Sequence, residues 1–177
     1  MLRKILAYGV VAGLIVGVPL SVISITLNGH TLLSWGMVIG YVLMLVALST
    51  VFVAIKRYRD TELGGVIGFW RALGLGLGIS IVAGIIYVLA WEATIAITHM
   101  DFAGTYANSL IEQKKAAGVT GEALARFTAE MEQFKVQYAN PLYRLPMTFT
   151  EIFPVGVLVS LISAGLLRNS RFLAQRP

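Results

Sequence analysis

A chain of 177 residues that is 57% hydrophobic and only 13% charged has more apolar surface than one soluble core can bury, which excludes an ordinary soluble domain. The formal charge of +5 does not make it a nucleic-acid binder, because the cations stand at the ends of apolar runs rather than along one stripe. The absence of cysteine excludes disulfides, thiolate metal sites and thiol catalysis.

With a mean hydropathy of +0.79, lipid is the expected solvent for much of the chain. The first apolar run, about 5–27, follows Arg3 and Lys4. It outlasts the 7–15 residues typical of a signal-peptide core and ends without a small-residue cleavage site, so it is expected to be retained as a span. Pro19 removes one helical hydrogen bond and predicts a bend. The uncharged turn Asn28-Gly29-His30-Thr31 leads into a second span at about 32–55, an antiparallel neighbour of the first.

A basic crossing follows, in which Lys56, Arg57 and Arg59 close the second run and Gly64-Gly65 turns the chain. Trp70 and Arg71 suit a membrane surface and open the third span, about 70–98. The three cations are expected to set orientation and attract anionic headgroups, with Asp60 and Glu62 near enough for local pairs. A fourth span at about 147–167 carries Pro154 and ends at Arg168 and Arg171.

Between the last two spans, about 101–140 reads as a helical insert. Asp101 to Ala117 predicts a helix stopped by Gly118, and Thr120 with Glu122 predicts the start of a second. Leu124, Phe127, Met131, Phe134 and Tyr138 form one apolar stripe, and Asn140-Pro141 ends the helix. The stripe reads as this hairpin's own core in preference to a partner-binding groove. Nine cations flank the spans at the N-terminus, the central crossing and the C-terminal tail, whereas the segment 99–146 balances five cations with five acids. The basic flanks belong in the cytoplasm. The expected architecture is therefore all-α: a polytopic four-helix membrane bundle, both termini inside, with an extracytoplasmic hairpin between spans three and four.

Three stretches give the chain a family resemblance: KRYRDTELGGVIGFWRALGLG at 56–76, NPLYRLPMT at 140–148 and FTEIFPVGVLVSLISAGLLR at 149–168. In order and spacing it resembles the bacterial membrane proteins of the domain-of-unknown-function 4199 family. The resemblance implies four spans with a soluble insert before the last, and it implies no activity for any residue.

Each run has small residues at four-residue spacing, which lets helix backbones approach in lipid: Gly9-Gly13-Gly17, Gly36-Gly40, Gly74-Gly78 beside Gly76-Ser80-Gly84, and Gly156-Ser160-Ala164. Internal packing is expected to use most of them, with the doubly striped third span the best source of a free face. Two carboxylates, Glu92 and Glu151, fall inside apolar runs, roughly 6–9 Å below the outer surface at 1.5 Å of rise per residue. His30, His99 and Arg144 lie just above them. Intramembrane acids invite a functional hypothesis, here proton or cation handling by Glu92 and Glu151, or a weaker metal site with His30 and His99. The competing expectation is structural, with each acid paired to Arg144, a histidine or a hydroxyl; the shallow depth favours it.

The chain contains no His-Glu-x-x-His, Gly-x-Ser-x-Gly or phosphate-loop motif, so no enzyme and no cofactor is expected. The expected function is a small structural or partner-binding component of the bacterial inner membrane. The alternative is a proton- or ion-coupled permeation unit. Its partners would be the bilayer, with anionic headgroups at the cytoplasmic face, and a second copy or another membrane protein.

Overall fold

The computed structural model describes residues 1–26 and 36–173 and contains six helices. They are α1 (Leu2–Thr26), α2 (Gly36–Glu62), α3 (Phe69–Thr98), α4 (Phe102–Ala116), α5 (Gly121–Tyr138) and α6 (Pro141–Leu167), and the described residues include no strand. The turn expected at Asn28-Gly29-His30-Thr31 lies outside the described residues. Four helices are long and apolar enough to cross a membrane: α1, α2 from Val38, α3 and α6. Val10, Leu14, Val18, Val42, Leu45, Ile81, Ile85 and Leu158 all lie exposed on their flanks. Such a surface has lipid, not water, as its natural solvent.

Helix ends follow local chemistry. Asp101 caps α4 by accepting from the Gly104 N–H at 2.8 Å. Asn140 caps α6 by accepting from the Leu142 N–H at 3.0 Å, with Pro141 in the first turn where its missing N–H costs nothing. The residues expected to stop one helix therefore start the next, and α6 begins two turns before the expected fourth span. The basic crossing is also shorter than expected, because α2 continues as a helix through Glu62. Gly64 and Gly65, at φ of 62° and 89°, then turn the chain in a conformation that suits glycine. Thr120 precedes α5 in extended backbone without a side-chain cap, and Glu122 pairs instead with Arg126 at 2.5 Å.

The hub of the bundle is α3, packed on α1 along one face and on α6 along another. The second helix, α2, rests on both α1 and α6 and touches α3 less. The expected neighbours α1 and α2 do meet, but α1 packs more extensively on α3. The α1–α3 pair is parallel and in register: Ile5 meets Gly78, Gly9 meets Val82, Gly13 meets Ile86, Gly17 meets Ala90 and Ser21 meets Thr94. A methyl group at position 13 would lie 2.5 Å from Ile86 Cβ and 2.8 Å from the Ala83 carbonyl oxygen. The α3–α6 pair is antiparallel, with Gly76 against Ser160 and Ser80 against Gly156. Both stripes of α3 are thus used inside the bundle and leave no free small-residue face, Gly74 alone having open space beside it.

Val16, Leu48, Val51, Ile55, Leu75, Ile79, Ile152 and Leu167 fill the centre. Beyond the bundle, α4 and α5 pack along each other.

Candidate functional site

Polar side chains gather at the end of the bundle beneath α4 and α5. Glu92 on α3 receives two hydrogen bonds from Arg144 on α6, Nε to Oε1 at 2.6 Å and Nη2 to Oε2 at 2.5 Å. Both side chains are largely shielded, 24% and 12% exposed, so the pair works in a medium where its attraction is weakly screened. The Arg144 Nη1 also donates to the Tyr138 carbonyl at 3.2 Å, and its guanidinium stands 5.6 Å from the Tyr138 ring centroid.

Tyr138 ends α5 and is buried. Its hydroxyl accepts from Trp91 Nε1 at 2.8 Å; Phe102 packs against both rings and Phe134 against Tyr138, with Tyr106 behind the two phenylalanines. Burial pushes the Tyr138 phenol up to about 12, against a lowering by the Trp91 N–H. This aromatic joint is where the expected α5 stripe does its packing, fixing α4 and α5 to the end of α3.

Glu151 has a different partner. Its Oε2 accepts from the Tyr87 hydroxyl at 3.1 Å, and the residue is exposed on the flank of α6. Both pairs cross the seam between α3 and α6, but Tyr87 lies five residues before Glu92 on α3 and Glu151 seven residues after Arg144 on α6, so the two acids stand at different levels of that seam. They find separate donors and do not form the coupled carboxylate pair that the proton-handling hypothesis invoked. On the side of α3 that meets α1, Thr94 Oγ1 donates to the Ala90 carbonyl at 2.8 Å and lies 2.6 Å from Ser21 Oγ. Ser24 Oγ is buried with no partner among the described residues.

His99 is exposed and closes α3 in a left-handed conformation, its N–H donating to the Ile95 carbonyl. His30 lies outside the described residues. Among the described residues, no three histidine or acidic side chains converge as a metal set.

The opposite end of the bundle holds the basic crossing. Lys56 pairs with Asp60 at 2.7 Å, and Lys4 with Glu62 at 2.7 Å. Arg59, expected at the membrane surface, is instead fully buried. Its Nε donates to Asp60 Oδ1 at 2.7 Å, its Nη1 to the Phe172 carbonyl at 2.9 Å and its Nη2 to the Leu173 carbonyl at 3.1 Å. A cation placed there satisfies the carbonyls that follow α6 and meets the negative end of that helix dipole. Arg59 therefore contributes nothing to headgroup contact, whereas Arg57, Trp70 and Arg71 are exposed. Polarity is not confined to the hairpin end: Arg59, Ser80 and Ser160 are buried elsewhere, the serines bonding back to the Gly76 and Gly156 carbonyls.

Residues 7–169 match the family described as protein of unknown function (DUF4199). The chain belongs to this family. No curated protein and no solved structure matches it. The DUF4199 match takes in Glu92, Arg144, Glu151, Tyr87, Trp91 and Tyr138, together with Arg59 and Asp60. The sequence singles out the acids and Arg144 and marks Tyr138 only as part of an apolar stripe, and it gives no notice of Tyr87 or Trp91 as their partners. Tyr87 and Trp91 stand four residues apart on one face of α3, which was the available signal.

Proposed function

We propose that this DUF4199 chain is a packing or partner-binding component of the bacterial inner membrane, with both termini cytoplasmic and the α4–α5 hairpin outside as its recognition element. The observation that carries the reading is that each intramembrane acid has a donor from its own bundle, Arg144 for Glu92 and Tyr87 for Glu151. Paired acids tie helices together, whereas a relay for protons or ions needs at least one group that can exchange its partner. The rigid aromatic joint at Trp91 and Tyr138 supports the same role, since it presents the hairpin from a fixed base. No catalytic reaction is assigned, and the partner is a second copy or another membrane protein.

A second reading has one observation in its favour: Glu151 has a hydroxyl but, among the described residues, no cation beside it, and it is open to the flank. On that reading the chain conducts protons through Glu151, with Glu92 held out of the path by Arg144. Proteoliposomes with an internal pH-sensitive dye separate the two. The packing reading expects the wild type, Glu92→Gln and Glu151→Gln to leave the proton leak of empty vesicles unchanged. A wild-type flux abolished by Glu151→Gln would replace it. Cross-linking from a photoreactive group at the exposed position Ala129, followed by mass spectrometry, would identify what meets the hairpin.

A further inference from the structure

The cations at the basic end divide into two chemical classes. Two acids stand there, Asp60 and Glu62, and both are taken: Asp60 by Lys56 and Arg59, Glu62 by Lys4. The cations left exposed without an acidic partner among the described residues are all arginines: Arg3, Arg57, Arg71, Arg168 and Arg171. They occupy one end of the bundle. Arg3 adjoins Lys4, whose bridge to Glu62 ties α1 to α2, and Arg168 follows Leu167, where Arg59 of α2 ties in the end of α6. Arg71 lies in the first turn of α3 beside Trp70, which is 79% exposed.

We propose that this end of the bundle is a binding surface for anionic phospholipid, with the five arginines meeting headgroup phosphates and Trp70 seated at the interface. Three arguments lead there. A guanidinium offers a planar fork that fits two phosphate oxygens, whereas an ammonium is a point charge; here the lysines are spent on carboxylates and the forks are left outward. An exposed indole beside a cation, at the end of an apolar span, fits the boundary between acyl chains and headgroups. Among the described residues the acids at this end are also offset, because Asp60 is buried between Lys56 and Arg59 and the exposed Glu62 is paired with Lys4. The occupant is lipid, not a soluble phosphate, because the arginines are spread over the ends of α1, α2, α3 and α6. Of the cations that the sequence placed among the headgroup ligands, Arg59 is buried and Lys56 is taken by Asp60.

The test uses the full-length purified protein in neutral-detergent micelles, scoring lipid retention by native mass spectrometry. Lipid is supplied as phosphatidylglycerol or as phosphatidylcholine of the same chain length, with and without soluble glycerol phosphate. The wild type is expected to retain phosphatidylglycerol in preference. Arg57→Gln/Arg71→Gln/Arg168→Gln should lose that preference by roughly tenfold or more, since each cation near an anionic surface adds to the attraction. The same three positions changed to lysine should keep part of it. Lys115→Gln/Arg126→Gln at the other end of the molecule should keep all of it. Equal retention of the two lipids by the wild type would overturn the proposal, as would a triple variant that still prefers phosphatidylglycerol. Displacement by millimolar glycerol phosphate would also overturn it, by assigning the arginines to a soluble anion. The three arginines are exposed and have no acidic partner among the described residues, so the variant is expected to fold; circular dichroism checks this, and Arg57→Gln and Arg71→Gln alone, each with a smaller loss, provide a second readout.

Discussion

Arg144 holds both carboxylate oxygens of Glu92, at 2.6 Å and 2.5 Å, and so joins the start of α6 to the end of α3. Two charges at that depth are tolerable only together. Truncating Arg144 to leucine leaves Glu92 without its cation and is expected to cost roughly 1–3 kcal/mol, less than a fully buried pair because the site keeps some exposure. The double variant Glu92→Leu/Arg144→Leu should recover part of that loss. Thermal unfolding of the four proteins of the cycle in detergent is the measurement; a double variant as unstable as the sum of the singles would remove the coupling.

Gly13 tests the parallel joint between α1 and α3. A methyl group there meets Ile86 and the Ala83 carbonyl, and a backbone oxygen cannot step aside. Gly13→Ala should therefore destabilise by roughly 1–3 kcal/mol. Gly74→Ala, with open space beside it, should instead gain about 0.5–1 kcal/mol from the helix propensity of alanine. Opposite signs are the expected result from two chemically identical substitutions.

Arg59 holds the end of the chain through the carbonyls of Phe172 and Leu173. Arg59→Gln cannot span those acceptors and also strips Asp60 of one partner. The expected cost is roughly 2–4 kcal/mol, with protease cutting after Arg168 or Arg171 becoming faster than in the wild type. Unchanged cutting would show that the segment is held by other means.

Tyr138 gives a dependence on pH. Its phenol is neutral when protonated, and burial raises its value from 10.0 to about 12 in the folded protein. The folded state therefore binds this proton more tightly than the unfolded chain. Its contribution to stability is complete below about pH 10 and is lost as the pH rises towards about 12. Trp91 fluorescence, in a variant with Trp35 and Trp70 replaced by phenylalanine, should change over that window. The same protein carrying Tyr138→Phe should not show the change.

The four spans were legible because lipid-facing helices need apolar residues all round, and runs such as Leu73–Leu89 have them. The glycine stripes were legible in part: Gly9, Gly13, Gly17, Gly76 and Gly156 do meet a neighbouring helix closely, whereas Gly40 and Gly74, at the same four-residue spacing, have nothing within 4 Å of where a methyl group would stand. The partner itself was not: nothing in Gly9-Gly13-Gly17 distinguishes α2, next along the chain, from α3, which supplies the facing Val82, Ile86 and Ala90. The donors of Glu92 and Glu151 were not readable, because they depend on how α6 lies along α3, and that register sets Arg144 beside Glu92 but Glu151 beside Tyr87. Arg59 was misread for a related reason. A cation at the end of a span can point outward to headgroups or inward to another helix's carbonyls, and the sequence gives both the same flank.

The parallel pairing of α1 with α3 also has a consequence for biogenesis. A ribosome delivers α1 first, yet the helix that complements its glycines is not made until α2 has already been threaded through. Until then Gly9, Gly13 and Gly17 face lipid, and the nascent protein has no tight joint to hold its first two segments. Release of a chain ending at Glu62 would leave a loose pair for quality-control proteases, so assembly waits on the third segment.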